Sequence, residues 1–172
     1  MILQVQALDI KLEKADSEAD IHSIAALAST IWNEHYVPFI GQPQIDYMLK
    51  TFQSFEAIQT QINQGDCVYY TIQQHTNLIG YLAYKQSNNE LFLSKIYVVK
   101  EKRRMGIGKI ALDFLTKQGR ESKIKKITLT VNKDNSGSIA AYKRMGFVID
   151  ESIVTPIGLG FVMDDYKMSL NI

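Results

Sequence analysis

Two glycines in a short basic segment are the residues of this sequence whose spacing most clearly indicates chemistry. Residues Arg103–Gly108 read Arg-Arg-Met-Gly-Ile-Gly and lie where a strand-like pattern changes to an amphipathic helical one. The first N–H groups of a helix have no internal partner and lie at the positive end of the helix dipole. Glycine lets an anion approach the backbone closely. The segment therefore predicts a phosphate-binding loop at a helix start.

The same pattern argues against two common phosphate loops. It lacks the third glycine of the dinucleotide-binding fingerprint, and it lacks the Gly-Lys-Ser/Thr ending of a nucleoside-triphosphate loop. Taken alone, Arg103–Gly108 is equally typical of a basic turn that precedes a helix. The residue types thus indicate an anion and leave its identity open.

Hydrophobic periodicity predicts the elements that must position this loop. Strands are expected at Ile10–Lys14 (with a start as early as Leu3), Val68–Gln74, Leu78–Lys85, Leu91–Val98, Ile124–Val131, Phe147–Val154 and Gly160–Leu170. Helices are expected from a cap at Ser17 or Asp20 to a break at Pro38–Pro43, from Gln44 to about Asn63 with an interruption near Ser54, from Gly106 to about Ser122, and at Ser136–Met145. Turns are expected at Thr76-Asn77, Ser87–Asn89 and Thr155–Gly158.

The predicted order, β-α-α-β-β-β-α-β-α-β-β, indicates one α+β domain over residues 1–172. The connection from Leu91–Val98 through the Gly106 helix to Ile124–Val131 has the length of a βαβ crossover. A crossover of this kind joins parallel strands. The sequence therefore predicts a local parallel pair within a mixed sheet.

Composition limits the classes of function. The chain has 172 residues and a formal net charge of +1, which disfavours nucleic acid or an anionic membrane as a partner. A single cysteine and three histidines without ligand spacing predict no metal site. The N-terminal residues lack a signal-peptide pattern, and no apolar run reaches membrane-spanning length. A soluble cytoplasmic protein is expected.

A second segment carries a resemblance to a known family. It reads Asn132-x-x-Asn135-x-x-Ser138-Ile139-x-Ala141-Tyr142-x-x-x-Gly146-Phe147. Together with Arg103-x-x-Gly106-x-Gly108, it resembles the two signatures of the GNAT superfamily of N-acetyltransferases, with Ser138 and Ala141 in place of the usual Ala and Leu. The element order also resembles the GNAT-like acyl-CoA N-acyltransferase fold. Within the superfamily, the chain looks most like the branch that contains spermidine/spermine N-acetyltransferases.

The resemblance implies acetyl-CoA as acyl donor and an amine as acceptor. Backbone amides of Arg103–Lys109 would hold the pyrophosphate, and the edge of Ile96–Val98 would pair with the pantetheine arm. Asn132 and Asn135 would bond the arm or fix the following loop, and Tyr142 would lie near the sulfur. The residues so implied are Ile96, Tyr97, Val98, Arg103, Arg104, Met105, Gly106, Ile107, Gly108, Lys109, Asn132, Asn135 and Tyr142.

The expected reaction is direct attack of a primary amine on the acetyl thioester. Tyr142 is the candidate catalytic residue, because a tyrosine with its ordinary pKa of about 10 is protonated at neutral pH and can protonate the departing thiolate. The resemblance adds the backbone N–H of Val98 as a donor to the developing oxyanion. An aromatic residue on an amphipathic helix is by itself more typical of packing, and the surrounding motif favours the catalytic interpretation.

The sequence does not identify a general base. Several family members use a glutamate on the strand before the loop, and the matching stretch here, Leu91–Lys95, has no carboxylate. Glu90 lies at its edge, and Glu34, His35 and Asp46 lie in the region expected to form the acceptor wall. Each of these is also typical of a solvated surface residue.

Aromatic residues of the first two predicted helices are candidates for an acceptor pocket, although such residues are more often core. They are Trp32, Tyr36, Phe39 and Tyr47. Cys67, at the start of a strand, is expected to be a packed small residue.

Two alternatives to an N-acetyltransferase stay open at this point. A non-catalytic acyl-CoA-binding or sensor module on the same fold would account for the missing carboxylate at Leu91–Lys95. A binder of nucleic acid or of another anionic partner through Lys100–Lys109 is disfavoured by the net charge. The final strands and an exposed sheet edge are compatible with a homodimer. The acceptor can be a small amine, a polyamine or a protein amine.

Overall fold

A computed structural model of the chain describes residues 9–87 and 89–172 as a seven-stranded sheet with helices on both faces. The first half contains β1 (Ile10–Lys14), α1 (Glu18–Ile40), α2 (Gln42–Phe52), α3 (Phe55–Asn63), β2 (Val68–Gln74), β3 (Asn77–Gln86) and β4 (Glu90–Val98). A short 3₁₀ turn at Lys100–Lys102 leads into α4 (Ile107–Glu121), β5 (Lys126–Asn132), α5 (Ser136–Arg144), β6 (Val148–Gly158) and β7 (Phe161–Asn171). The predicted mixed α+β fold is confirmed. The expected strand start at Leu3 and the turn position Asn88 lie outside the described residues.

The sheet order is β1-β2-β3-β4-β5-β7-β6. Strands β4 and β5 run parallel, as the predicted crossover requires, and all other neighbouring pairs are antiparallel. The parallel pair is short: Glu90, Leu91 and Phe92 are the residues of β4 that pair with β5. Beyond Phe92 the two strands separate, and the sheet opens at its centre.

A bulge on β4 begins where the strands separate. Ala83 of β3 pairs with Lys95, while the next residue, Tyr84, pairs with Leu93, so that Ser94 is an extra residue. An extra residue bends its strand and increases the local twist. The bulge therefore turns the second half of β4 away from β5.

Each face of the sheet packs against its own set of helices. On one face, α1, α2 and α3 cover a core that includes Ile24, Ile31, Trp32, Ile45, Ile58, Tyr69 and Tyr81. On the other face, α4 and α5 cover a core that includes Leu112, Leu115, Ile127, Leu129, Phe147 and Met168. In the first core, the Trp32 Nε1–H donates to the Tyr81 hydroxyl, which donates to Gln53 Oε1. This buried polar chain is thus satisfied.

The first helix is longer than the sequence predicts. It begins with a capping box between Ser17 and Asp20, as expected, but it continues through Pro38 to Ile40. The expected break at Pro38 is wrong, because the φ angle of proline suits a helix and the lost N–H removes only one bond of the last turn. Gly41, with φ of 81°, ends the helix and donates to the Val37 carbonyl.

Of two other predicted elements, the second helix is interrupted as expected, whereas the turn at Thr155–Gly158 is wrong. The helix expected from Gln44 to Asn63 consists of α2 and α3, and the interruption expected near Ser54 is present, since the Ser54 hydroxyl caps α3 by accepting from the Ala57 N–H. Thr155–Gly158, expected as a linker, is part of β6. Proline is tolerated there because β6 is an edge strand. The chain reverses instead at Leu159-Gly160, both with positive φ, as a two-residue hairpin turn requires.

No helix of the described residues is long and apolar enough to cross a membrane.

Replacing Gly80 by Ala should destabilise the protein by about 1–3 kcal/mol. A Cβ at Gly80 of β3 would collide with the backbone carbonyl of Tyr97 on β4, and a backbone atom cannot move aside as a side chain can. Urea unfolding followed by circular dichroism measures the change. Gly137→Ala in α5 is the matched control, because its Cβ would meet no atom within 4 Å. Equal stability of the two variants would contradict the close approach of the strands.

Candidate functional site

The loop before α4 has the backbone shape that an anion site needs. Arg104 adopts a left-handed conformation with φ of 62°, and Gly106, with φ of 80°, is the N-cap of α4. No side chain caps this helix end. The first N–H groups of α4 are therefore available to a ligand.

Space in front of these N–H groups is open. A Cβ built at Gly106 or at Gly108 would meet no heavy atom within 4 Å. The loop is fixed from behind, since Arg103 Nε donates to the Val98 carbonyl at 3.0 Å. Lys109 adds positive charge at the helix start, although its ammonium is 2.6 Å from the Asp113 carboxylate on the next turn. Together these features fit a phosphate or pyrophosphate group.

A groove of about 900 Å³ runs from this loop into the opening between β4 and β5. Most of the residues predicted to contact a cofactor line it, namely Ile96, Tyr97, Val98, Arg103, Arg104, Gly106, Ile107, Gly108, Lys109, Asn135 and Tyr142. Two of the predicted residues do not. Met105 is 41% exposed and does not line the groove, and Asn132 lines a second cavity instead.

One edge of β4 faces the opening without a partner strand. The Val99 N–H donates to the Ile79 carbonyl of β3, and the N–H groups along an antiparallel strand alternate in direction. The N–H of Val98 therefore points toward the opening, as does that of Ile96. Unpaired main-chain groups of this kind can bond an extended ligand as a neighbouring strand would.

The two asparagines of the second motif fix the chain around the groove. Asn132 Oδ1 accepts from the Asp134 N–H at 2.9 Å and shapes the loop after β5. Asn135 is the N-cap of α5 and accepts from the Ser138 N–H. Its side-chain amide also lies 3.2 Å from His35 Nε2, which connects α5 to α1 across the opening.

The protonation state of His35 is consistent with its contact to Asn135. Burial, with a further contribution from the Arg103 guanidinium, lowers the pKa of His35 below its ordinary value. The imidazole is therefore neutral at pH 7, and its Nε2 can accept from the Asn135 amide.

Tyr142 lies on α5 with its ring edge-to-face against Phe147, at a centroid distance of 5.6 Å. Burial raises the pKa of Tyr142, and the nearby Tyr36 adds to the effect. The hydroxyl therefore stays protonated over the physiological range. Within the described residues, the structure gives this hydroxyl no hydrogen-bond partner, so its proton is available to a ligand in the groove.

A second cavity of about 230 Å³ lies on the α1–α3 face of the sheet. Its walls come from α1, α2, β4, β5 and the β6–β7 hairpin: Trp32, Tyr36, Ile40, Met48, Phe52, Ser94, Lys95, Tyr97, Thr130, Asn132, Ile157, Met163 and Asp165. It shares Tyr36, Ser94, Lys95, Tyr97 and Thr130 with the groove. Two ligands, one in each space, would meet at the gap between β4 and β5.

The aromatic wall is partly as predicted. Trp32 and Tyr36 line the second cavity, and the Tyr36 hydroxyl lies 3.2 Å from that of Tyr97. Phe39 is exposed, and Tyr47 lies outside the wall, with its hydroxyl donating to the Ile157 carbonyl at 2.6 Å. Burial raises the pKa of both Tyr36 and Tyr97, so their hydroxyls are neutral.

Sequence reasoning missed an acid in this cavity. Asp165 lies on β7 directly across from Asn132 and is 5% exposed. Its Oδ1 is buried without a hydrogen-bond partner. Burial, with the neighbouring Asp164, raises the pKa of Asp165 to about 6. The signal was available, because two successive acids in a strand must face opposite sides of the sheet.

Sequence reasoning also missed a cation. Lys95, on β4, lies largely buried beside Ser94, to whose hydroxyl its Nζ donates at 2.9 Å. Burial lowers the pKa of Lys95 to about 8. The ammonium also lies 5.7 Å from the centre of the Tyr69 ring. At pH 7 it is still mostly charged.

The expected general-base candidates are placed differently. Glu34 and Asp46 are exposed and line neither cavity. Glu90 accepts from the Thr128 hydroxyl at the closed end of the β4–β5 pair. His35 lines the groove. Among the described residues, Asp165 is the one carboxylate that lines the second cavity, and no carboxylate lines the groove.

Comparison with known proteins identifies related sequences and folds. The profile of the acetyltransferase (GNAT) family matches residues 24–147. PaiA N-acetyltransferase from Thermoplasma acidophilum, solved in complex with coenzyme A, superimposes with a TM-score of 0.80 at 21% identity, covering 95% of this chain and 99% of that one. The ribosomal-protein-S18-alanine N-acetyltransferase from Escherichia coli gives 0.65 at 18% identity, covering 95% and 94%.

Nourseothricin acetyltransferase has a TM-score of 0.56 at 26% identity, over 62% of this chain and 65% of that one. No curated protein sequence matches significantly.

Replacing Asp165 by Asn should raise the melting temperature at about pH 8 by about 2–4 °C. Because the folded pKa of about 6 exceeds the ordinary value, the folded state pays for ionising this group as the pH rises through about 4 to 6. The gain should therefore vanish at about pH 4. Thermal unfolding at both pH values measures it.

Asp164→Asn is the control, since that carboxylate is exposed and paired with Lys133. A D165N variant that melts below the wild type at about pH 8 would show instead that the carboxylate stabilises the fold.

Proposed function

Because the chain belongs to the acetyltransferase (GNAT) family, we propose that it transfers an acetyl group from acetyl-CoA directly to a primary amine. As a member of this family, the protein is an acyltransferase that uses acetyl-CoA as donor. One observation carries the direct transfer: the groove and the second cavity meet at the gap between β4 and β5. A donor in the groove and an amine in the cavity would be adjacent there.

The groove fits the donor at both ends. The uncapped start of α4 and the open space at Gly106 and Gly108 suit the pyrophosphate. The unpaired edge of β4 at Ile96–Val98 suits the amides of the pantetheine arm. Asn132 fixes the loop after β5 by accepting from the Asp134 N–H, and Asn135 fixes the start of α5 by accepting from the Ser138 N–H.

Acetyl-CoA supplies a thioester carbonyl at the junction of the two cavities. The amine nitrogen forms a bond to the carbonyl carbon, the carbon–sulfur bond breaks, and its electron pair passes to sulfur. The Val98 N–H, which points into the opening, would stabilise the negative charge on the carbonyl oxygen.

Two protons move in this reaction. Tyr142 keeps its proton because burial raises its pKa, and it can donate this proton to the departing sulfur. The proton lost by the amine goes to the Asp165 carboxylate, the acid of the second cavity, and from there to water. Small amines, polyamines and protein amines are the acceptor classes. The related ribosomal-protein enzyme is named for the last of these.

Acetyl-CoA should be converted to free thiol in the presence of at least one amine of a panel of spermidine, spermine, amino acids and lysine peptides. Tyr142→Phe should lower kcat by about 100-fold or more, while the affinity for acetyl-CoA changes little, because the lost proton serves only the leaving sulfur. Thiol release and calorimetry measure the two quantities. Tyr84→Phe is the matched control, since Tyr84 is buried outside both cavities. An unchanged kcat would remove Tyr142 from the mechanism.

Gly108→Val should weaken acetyl-CoA binding by about tenfold or more without unfolding the protein. A Cβ at this position meets no heavy atom within 4 Å, and the valine methyl groups would occupy the path of the pyrophosphate to the first turn of α4. Calorimetric titration with CoA measures the affinity. Lys117→Val places the same side chain on an exposed position of the same helix and should leave affinity unchanged. Equal affinities for the two variants would place the pyrophosphate elsewhere.

A further inference from the structure

Lys95 is a largely buried cation that lines both the second cavity and the groove, and the acetyl transfer described above does not use it. Lys95 and Asp165 both line the second cavity, and neither forms an ion pair with any described residue. Their charged groups are thus not bonded to each other. A buried charge without a counter-charge destabilises the folded protein. Charges kept in that state are typical of functional sites.

The two charges lie on different walls of the cavity. Lys95 belongs to β4 and Asp165 to β7, and β5 lies between these strands. Lys95 contacts the Ser94 hydroxyl and approaches the Tyr69 ring. Asp165 lies close enough to Tyr36 for its charge to raise the pKa of that phenol. Tyr36 and Lys95 both belong to the residues shared with the groove, so the two charges both lie near the gap where the amine must react.

The remaining wall is largely apolar. Trp32, Ile40, Met48, Phe52 and Met163 supply most of it. The cavity therefore offers one anion, one cation and a hydrophobic surface within about 230 Å³. A ligand that satisfies all three has one ammonium, one carboxylate and an apolar group.

We propose that the acceptor is an amino acid with an apolar side chain, bound as a zwitterion with its ammonium on Asp165 and its carboxylate on Lys95. This inference rests on the proposed function and narrows its acceptor. A polyamine would bring a second cation toward Lys95. The N-terminus of a protein would lack the carboxylate that Lys95 requires.

The test compares each amino acid with the amine that lacks only its carboxylate. Leucine is paired with isoamylamine, and phenylalanine with phenethylamine. The wild type should acetylate the amino acid of at least one pair with a kcat/KM about tenfold or more above that of its amine, as a charged hydrogen bond allows. Thiol release gives the rates, and mass spectrometry identifies the N-acetyl product.

Two variants locate the preference. Lys95→Met keeps the length and apolar stem of the side chain and should reduce the ratio of amino acid to amine by about tenfold or more. Lys95→Arg keeps the charge and should retain a preference for the amino acid. Lys85→Met is the matched control, because Lys85 is exposed and lines neither cavity, and it should leave the ratio unchanged. A thermal shift with CoA verifies that each variant is folded.

The outcomes separate the two claims. If the wild type prefers the amines or the polyamines, or if Lys95→Met lowers both rates by one factor, the zwitterion site is overturned and the proposed function stands. If CoA binds but no amine of any class is acetylated, the proposed function fails and the zwitterion site fails with it. Should Lys95→Met not fold, the wild-type ratio alone decides.

Discussion

The separation of β4 from β5 after Phe92 is the constraint on which the rest of the structure depends. A sheet normally bonds every main-chain group of its central strands, and a gap at its centre leaves N–H and C=O groups without partners. The bulge at Ser94 directs β4 away from β5. Both cavities open into this gap, and the N–H of Val98 faces it. The groove and the second cavity thus lie on two sides of the same gap in the hydrogen bonding of the sheet.

Side-chain contacts across the gap fix its width. The Asn135 amide meets His35, and the Tyr36 hydroxyl meets that of Tyr97, so α1 is connected to both α5 and β4. Helix α5 has nine residues, none of them fully buried, and depends on such contacts and on its Asn135 cap. The neutral state of His35 belongs to the same arrangement, because a protonated ring could not accept from the amide. His35 and Asn135, which the sequence offers as candidate site residues, therefore also stabilise the positions of α1 and α5.

Much of this architecture could be predicted from the sequence because it is periodic and local. The parallel pair followed from the length of the crossover, and the anion loop from two glycines at a helix start. The features that the sequence did not predict depend on contacts between residues that are distant in the chain. The continuation of α1 through Pro38 and of β6 through Pro156 depends on which bonds a proline actually removes at a helix end or a sheet edge. The alternation of Asp164 and Asp165 along a strand predicts that one of them faces inward, but the burial of Asp165 and Lys95 in one cavity depends on residues that are distant in the chain.

The walls of the two cavities come from largely different parts of the chain. The groove is built mainly by β4, α4 and α5, whereas most of the wall of the second cavity comes from α1, α2 and the β6–β7 hairpin. Mutations in the second group can therefore accumulate without disturbing the first. In evolutionary terms, such a division lets a lineage exchange acceptors while its donor chemistry is inherited intact. The few shared residues at the gap are then the positions where drift should be slowest.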